Sequence, residues 1–303
     1  MMYDIMIIGG GPAGLTAALY ARRANKSVLV IEKNVFGGQI TFSPKVENIP
    51  GFTSLSGNEF AEKLVDQVLA QGADVEVAEV LSVTGGDVKQ VKTDAGDFEG
   101  KAVIFALGAK HRTLGLPREE NLIGNGISFC AVCDGAFYRD RDVAVVGGGN
   151  SALQEAILLS ELCRHVTVIQ NLDFLTGEKK LQEQLSGKEN VSVLLGYTVK
   201  EYLGDGELNG VILKKEADGS EEKLSLDGLF LAVGLVPQNE PFASLLPLDA
   251  RGYAEVGESC VCPTPGVFVA GDCRAKKIRQ VTTAASDGAI AALAACEYLD
   301  SLS

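Results

Sequence analysis

The chain has 303 residues of which 46% are apolar, which excludes intrinsic disorder, and its length favours two domains of ordinary size over a single core. Forty acids against 27 bases give a formal charge of −13; phosphate backbones repel such a chain, and no cluster of Lys and Arg with interleaved aromatics offsets this, so nucleic acid is excluded as a partner. No apolar run approaches the roughly 18 residues of a membrane span, and the run ahead of the first glycines is too short for a signal segment, so a soluble, cytoplasmic protein with no membrane partner is expected.

The N-terminal stretch YDIMIIGGGPAGLTAALYARRANKSVLVIEK predicts a strand over Ile5 to Ile8, then a turn with Gly9, Gly11 and Gly14 at G-x-G-x-x-G spacing. An alanine-rich helix to about Arg23 follows, then a second strand over Val28 to Ile31 ending at Glu32. Gly9 permits the tight turn, Gly11 lets a pyrophosphate approach the backbone, and Gly14 lets the helix sit against the strand. The pyrophosphate then rests on a helix N-terminus. Glu32 lies 18 residues beyond Gly14, near the spacing at which an acid accepts hydrogen bonds from an adenosine ribose. The combination of strand, turn, helix, strand and acid is far more specific than the glycines alone.

Further along, ISFCAVCDGAFY holds Cys130 and Cys133 with Asp134 directly after. Seven cysteines in a cytosolic chain do not suggest a disulfide scaffold, and a Cys-x-x-Cys there is metal-binding or catalytic. Structural zinc would need two more ligands, whereas Cys260 and Cys262 are spaced C-x-C and His111 and His165 are isolated, so no metal is expected. Two solitary histidines also leave little for a Ser-His-Asp or Cys-His hydrolase, which points to redox chemistry.

About 14 residues on from Cys133 the first pattern recurs: DVAVVGGGNSALQEAILLSELCRHVTVIQN places Gly147, Gly149 and Ala152 between a strand and a helix, with a second strand behind. Two dinucleotide folds in one chain suggest one bound flavin and one site for a diffusible nucleotide. Cys163 is expected in the core on the helix, and His165 at the helix C-terminus. Cys260 and Cys262 are expected to be buried on one face of a strand.

The segments GGGPAGLTAALYARRA, FGGQI, VENIPGF, FALGAKHRTLGLP, CAVCDG, VVGGGNSA, LFLAVGLVPQNE and VFVAGDCRAKKIRQVTTAASDGAIAA occur in the order seen in bacterial low-molecular-weight thioredoxin reductases. The chain resembles that family from Tyr3 to about Ala295, and most specifically in the closing block and in the placing of Cys-x-x-Cys within the second dinucleotide domain. The resemblance implies an α/β fold of two Rossmann-like domains, the second inserted into the first. A discontinuous FAD domain of residues 1–113 and 242–303 would flank a pyridine-nucleotide domain of residues 114–241 that carries the cysteines. The crossings, TLGLPREENLIGNG and GLVPQNEP, hold the Pro, Gly and Asn expected of a hinge, and in the family such crossings allow a large rotation.

The resemblance also implies the roles. Cys130 and Cys133 would be the redox pair, with Cys133 facing the flavin and Cys130 exchanging with the substrate disulfide. Asp134 matches the acid that protonates a departing thiolate, although a solvated turn residue before Gly135 is the alternative. Gly38, Gln39 and Asn48 match segments that line FAD, Asn48 being open to a second reading as a turn residue before Pro50. Gly271 and Asp272 fall in the AGD motif, where the acid binds the ribityl chain, and Cys273 follows directly. Arg279 and Gln280 match the start of the last helix, whose amides can polarise the flavin ring. The implied partner is thioredoxin or a thioredoxin-like protein, and the implied assembly a homodimer.

The donor is where the pattern departs. NADPH-dependent members carry His-Arg-Arg and a later arginine after the second strand of the inserted domain; here Gln170, Asn171 and Leu172 stand in those places and Leu175 near the last. A 2′-phosphate wants charge-assisted partners, and none occurs before Lys179 and Lys180. The expectation is NADH, since the Gly147/Gly149/Ala152 turn is intact. Reduced ferredoxin or flavodoxin is the second reading and NADPH held by the two lysines the third. A ferredoxin:NADP+ reductase-like flavin oxidoreductase and a redox-sensing binding protein are alternatives, of which CAVCDG argues against the former.

Overall fold

The computed structural model describes residues 2–43 and 46–302. The chain divides into two compact units, Met1–Lys45 with Ile49–Lys110 and Val236–Ser303, and Val46–Asn48 with His111–Leu235. Both are α/β units of Rossmann type, and the second is inserted into the first.

In the first unit β1 (Met2–Ile8) enters the glycine turn, α1 (Pro12–Arg23) leaves it, and β2 (Val28–Glu32) returns parallel to β1 with Ile5 opposite Val28 and Ile8 opposite Ile31. Pro12 begins α1 at no cost, because an amide in that position has no partner inside the helix. Next come α2 (Gly57–Ala70), β3 (Asp74–Val77), β4 (Val80–Thr84), β5 (Lys89–Thr93), β6 (Asp97–Phe105) and the short β7 (Ala109–His111). A reciprocal capping box between Ser56 and Glu59 starts α2.

The second unit contains α3 (Glu119–Leu122), β8 (Ile127–Ser128), α4 (Ala131–Asp134), β9 (Asp142–Val146), α5 (Asn150–Ser160) and β10 (His165–Gln170). It continues with α6 (Lys179–Ser186), β11 (Val191–Leu195), β12 (Tyr197–Leu203), β13 (Gly210–Lys215), β14 (Glu221–Ser225) and β15 (Gly228–Leu231). The chain then returns through β16 (Leu235–Pro237) and β17 (Val267–Val269) to α7 (Val281–Ser301).

The first sheet runs β3-β2-β1-β6 and branches at β6, because that strand is long enough to serve two neighbours. Its first half pairs antiparallel to β5, with Lys92 opposite Asp97, and its last three residues pair parallel to β17, with Val103 opposite Val267. The second sheet, β11-β10-β9-β15-β8, is parallel throughout, and β12-β13-β14 form an antiparallel sheet beside it. The parallel strands are apolar on both faces and feed two cores each. Ile5 and Ile7 pack with α1 and α7, while Met6 and Ile8 pack on the opposite side with Val256 and Cys262. Val143 and Val145 join the α5 side of the second sheet, Ala144 and Val146 the other.

The helix pair α1 and α7 meets through small residues. Ala13 and Ala17 face Ala284, Gly288 and Ala291, and a Cβ on Gly288 would lie 2.1 Å from the Ala13 carbonyl oxygen. Such close approach explains the alanine-rich composition of both helices better than helix propensity does.

Three expectations are corrected. Residues 260–262 form no regular strand: Cys260 has φ 62°, so Cys260 packs in the α1/α7 core and Cys262 in the core across the sheet, both buried but not on one face. The α5 helix ends at Ser160, so Cys163 lies in the following turn, still buried. His165 opens β10 instead of closing a helix.

Candidate active site: two glycine turns and a cysteine pair

At the first turn Gly9 has φ 109°, and a Cβ there would sit 2.3 Å from the Ala106 carbonyl oxygen. A Cβ on Gly14 would meet the Gly9 oxygen at 1.9 Å, so these two glycines are required by packing alone. Gly11 differs: the nearest atom to its Cβ position is the Gly37 oxygen at 3.8 Å, which leaves the backbone open to a ligand. Glu32 ends β2 beneath the turn, its Oε2 accepting from Gly10 N at 2.7 Å and its Oε1 from Asn34 N at 3.0 Å. Gly37 N donates to the Gly10 oxygen at 2.7 Å, and Gly38, with φ 63°, follows in the left-handed region. Gln39 donates through Nε2 to the Ala109 oxygen. Asn48 is exposed and lies in the short segment that groups with the second unit.

The same unit places Asp272 just after β17. Its Oδ1 is buried with no hydrogen-bond partner among the described residues, Lys276 Nζ standing 3.6 Å away, and burial raises the pKa of this carboxyl against the pull of Lys276 and Arg279. Arg279 spends its guanidinium locally: Nε donates to the backbone carbonyl oxygen of Asp272 at 3.1 Å and the group stacks 4.3 Å from the Tyr253 ring centroid. Gln280 is the N-cap of α7, its backbone N donating to Thr283 Oγ1 at 3.1 Å. The sequence reading left out Asp287, which gathers this loop: Oδ1 pairs with Arg274 Nη1 at 2.7 Å, and Oδ2 meets Lys276 Nζ at 2.9 Å and Gly271 N at 3.0 Å. An acid inside an otherwise alanine-rich helix was the signal for it. Cys273 is fully buried behind Asp272, which pushes its thiol up to about 12 and leaves it unreactive.

The second turn repeats the first. Gly147 has φ 132°, with its Cβ position 2.6 Å from the Ala232 oxygen; Ala152 is buried beside it, and Gly149 is open, its nearest neighbour being Thr176 Oγ1 at 3.8 Å. Gln170 occupies the place beneath Gly148 that Glu32 has beneath Gly10, 5% exposed, with Nε2 donating to the Phe174 oxygen at 3.3 Å. Thr176 N and Gly177 N donate to the Gly148 oxygen at 2.8 and 2.9 Å. Asn150 and Glu178 bond reciprocally, Nδ2 to Oε1 at 2.9 Å and Glu178 N to Oδ1 at 2.7 Å. From Asn171 to Glu178 the loop carries no cation and two acids, and Lys179 and Lys180 stand exposed at the start of α6.

Cys130 and Cys133 form a disulfide, with Cα atoms 5.3 Å apart, Cys130 capping the single turn α4. Asp134 N donates to the Cys130 oxygen at 3.0 Å, which holds the acid directly behind the pair. Its Oδ2 accepts from Ser128 Oγ at 2.6 Å, and its Oδ1 is buried without a hydrogen-bond partner among the described residues. Burial raises the pKa of Asp134, opposed by the Ser128 bond. Asp134 is thus partly buried, with its Oδ1 closed off from solvent. Gly135 touches Leu159, its Cβ position 3.1 Å from that side chain, which seats the pair on α5. Val132, between the cysteines, is exposed. Ser128 and Glu155 were not singled out from sequence; Glu155, on α5, has a buried Oε2 without a hydrogen-bond partner among the described residues, and burial pushes it up to about 7.

Residues 3–288 match the family model of pyridine nucleotide-disulphide oxidoreductases. The chain is 41% identical over 303 residues to a thioredoxin reductase of Listeria innocua, covering 99% of this chain and 95% of that protein, and 39% identical to that of Bacillus subtilis, covering 99% and 96%. A Clostridium pasteurianum relative, 39% identical over 298 residues with 98% and 97% covered, is described as a 34.2 kDa protein in a rubredoxin operon. Among solved structures, the thioredoxin reductase of Streptococcus pyogenes superposes with a TM-score of 0.94 at 40% identity, and that of Giardia duodenalis with 0.91 at 31%, each covering 99% of both chains. With the cysteine pair lodged inside the second of two Rossmann units, the chain belongs to the pyridine nucleotide-disulphide oxidoreductases and, within them, to the thioredoxin reductases, flavin enzymes that reduce a protein disulfide.

Proposed function

We propose that the enzyme draws electrons from NADH and delivers them through FAD and the Cys130/Cys133 pair to the disulfide of thioredoxin or a thioredoxin-like protein. FAD fits the first unit: Gly11 is open where a pyrophosphate would approach, Glu32 stands beneath the turn, and Asp272 has a buried oxygen in want of a donor. Gly9, Gly14, Gly38, Gln39, Gly271, Arg279 and Gln280 complete the residues of this unit assigned to it, and Asn48 is assigned to it on the family resemblance alone. Bound there, FAD supplies two-electron transfer between a nicotinamide and a disulfide.

The remaining chemistry belongs to the side chains. Two electrons and two protons convert the Cys130–Cys133 disulfide to two thiols. Cys130 yields its proton to Asp134 and attacks as thiolate one sulfur of the substrate disulfide, forming a mixed disulfide and releasing the other sulfur, to which Asp134 gives the proton. Cys133 then loses its proton and attacks Cys130, restoring the internal disulfide and releasing the second substrate sulfur, which takes up that proton.

The observation that carries the choice of NADH is the neutral Gln170 amide beneath Gly148, next to a loop that offers no cation between Asn171 and Glu178. Losing two charged contacts to a 2′-phosphate weakens NADPH by about two to four orders of magnitude. Anaerobic stopped flow tests it: NADH should bleach the flavin faster than equal NADPH. Faster bleaching by NADPH would assign the phosphate to Lys179 and Lys180. A second reading, a small iron-sulfur protein as donor, is favoured by the relative described from a rubredoxin operon. Bleaching by reduced ferredoxin but by neither nucleotide would establish it and leave Gly147, Gly149 and Ala152 as a structural turn. The homodimer and the cytoplasmic location belong to the same proposal; no helix among the described residues is long and apolar enough to cross a membrane.

A further inference from the structure

We infer that Ser128 is a positioning residue for thiol exchange, holding one oxygen of Asp134 so that the other is left to deliver the proton. This rests on the reading of Asp134 as the acid and adds a member to that machinery.

Ser128 is buried at the end of β8, and pairing with Phe230 of β15 fixes its backbone in the parallel sheet. Its hydroxyl faces two ways. Oγ donates to Asp134 Oδ2 at 2.6 Å and accepts from the Cys130 backbone N at 3.1 Å. One side chain therefore ties a strand to both the first cysteine and the acid.

The consequence lies in the two oxygens of Asp134. A carboxyl that is free to rotate presents its proton on either oxygen and in two geometries. Here Oδ2 is occupied as an acceptor, so the proton of the neutral acid resides on Oδ1, which is buried and has no other hydrogen-bond partner among the described residues. Proton delivery to a departing thiolate takes Oδ1–H to Oδ1 and a thiolate to a thiol, with no change of oxidation state. Afterwards the carboxylate keeps the Ser128 bond, which steadies the charge until a proton returns. Since a hydrogen bond to the charged form favours that form, Ser128 also restrains the upward drift that burial imposes on Asp134. The titratable group that feels Asp134 is Tyr138, on the turn after α4, whose own pKa is raised to about 12 by burial and in part by Asp134.

The test is single-turnover oxidation of the dithionite-reduced holoenzyme by oxidised thioredoxin across pH. Ser128→Ala should slow exchange about tenfold on the plateau where the acid is protonated and move the alkaline limb of the profile to higher pH. Uptake of about four electrons per chain should be retained, showing that flavin and cysteine pair are intact. Ser128→Thr, which keeps the hydroxyl, should recover most of the rate and return the alkaline limb to its wild-type place. In the Asp134→Asn background, itself slower by about 10²–10⁴, Ser128→Ala should add no further loss. A wild-type rate and profile in Ser128→Ala, or a loss that adds in full to that of Asp134→Asn, would overturn the inference. An unchanged rate in Asp134→Asn alone would instead remove the acid on which it rests.

Discussion

The two glycine turns of this chain are nearly the same object built twice; Ala152 stands where the first turn has Gly14, and the side chain beneath the turn changes from a carboxylate to an amide. Gly9 and Gly147 both take a left-handed φ against a carbonyl oxygen, of Ala106 in one and Ala232 in the other. Gly10 and Gly148 both sit on the side chain that ends the second strand, and both have their oxygens bonded by amides of the following loop. Beneath the first turn that side chain is Glu32, and beneath the second it is Gln170. Glu32 is acceptor-only and uses both oxygens on backbone amides, whereas Gln170 has one acceptor and spends its NH₂ on the Phe174 oxygen. Backbone conformation is thus conserved between the units while the charge offered to an adenosine ribose is not. On the proposed function, the turn would accept a dinucleotide and the strand-end residue and its loop would select which one.

The largest expected effect separates the units altogether. Cys130→Ser and Cys133→Ser should each abolish thioredoxin reduction and cut dithionite uptake from about four electrons per chain to about two, since only the flavin remains to be reduced. The flavin spectrum should survive, because the first unit is untouched. Retained turnover in either variant would take the disulfide out of the mechanism.

The next effect tests the second turn. Replacing Asn171 and Leu172 together by arginine should improve reduction by NADPH by at most about 10²–10³, because long side chains on an unprepared loop lose conformational entropy on binding. The same stopped-flow trace with NADH should change little. No gain for NADPH would mean that the loop from Asn171 to Glu178 does not meet the adenosine end of the nucleotide.

Much of this was legible in the sequence because periodicity carries it. The strand, turn, helix and strand around Gly9 and around Gly147 read directly from apolar runs and glycine spacing, and Glu32 and Gln170 fall at the strand ends. What periodicity cannot carry was missed or mistaken. Alternation suggested a strand through Cys260 and Cys262, but a positive φ at Cys260 sends the two thiols into cores on opposite sides of the first sheet. Apolar residues beyond Ser160 made α5 look longer than it is, although the chain turns there and keeps Cys163 buried without helix. Ser128 and Asp134 touch across six residues, from a strand end to a helical turn, and no pattern predicts that their oxygens lie 2.6 Å apart. Arg274, Lys276 and Asp287 meet in the same way, by the path of a loop against the side of α7.

The smallest effect exchanges the differing side chains. Glu32→Gln should loosen FAD by about tenfold to a hundredfold, because one of the amides that now meets a carboxylate oxygen would face an NH₂, and hydrogen bonds to charged groups contribute about 1.5–3 kcal/mol each. The reciprocal change, Gln170→Glu, should give less. A carboxylate there would find the Gly148 amide as Glu32 finds that of Gly10, and the residue two positions on, Leu172, could offer its amide as Asn34 does. Against this stands the desolvation of a charge at a site that is only 5% exposed. The net expectation is a gain of up to about tenfold in the ratio of the NADH to the NADPH bimolecular rate constant, most of it from repulsion of the 2′-phosphate. Stopped-flow reduction with each nucleotide at matched ionic strength measures that ratio. An unchanged ratio would show that no ribose reaches the floor of the second turn, and the likeness of the two turns would then be one of backbone alone.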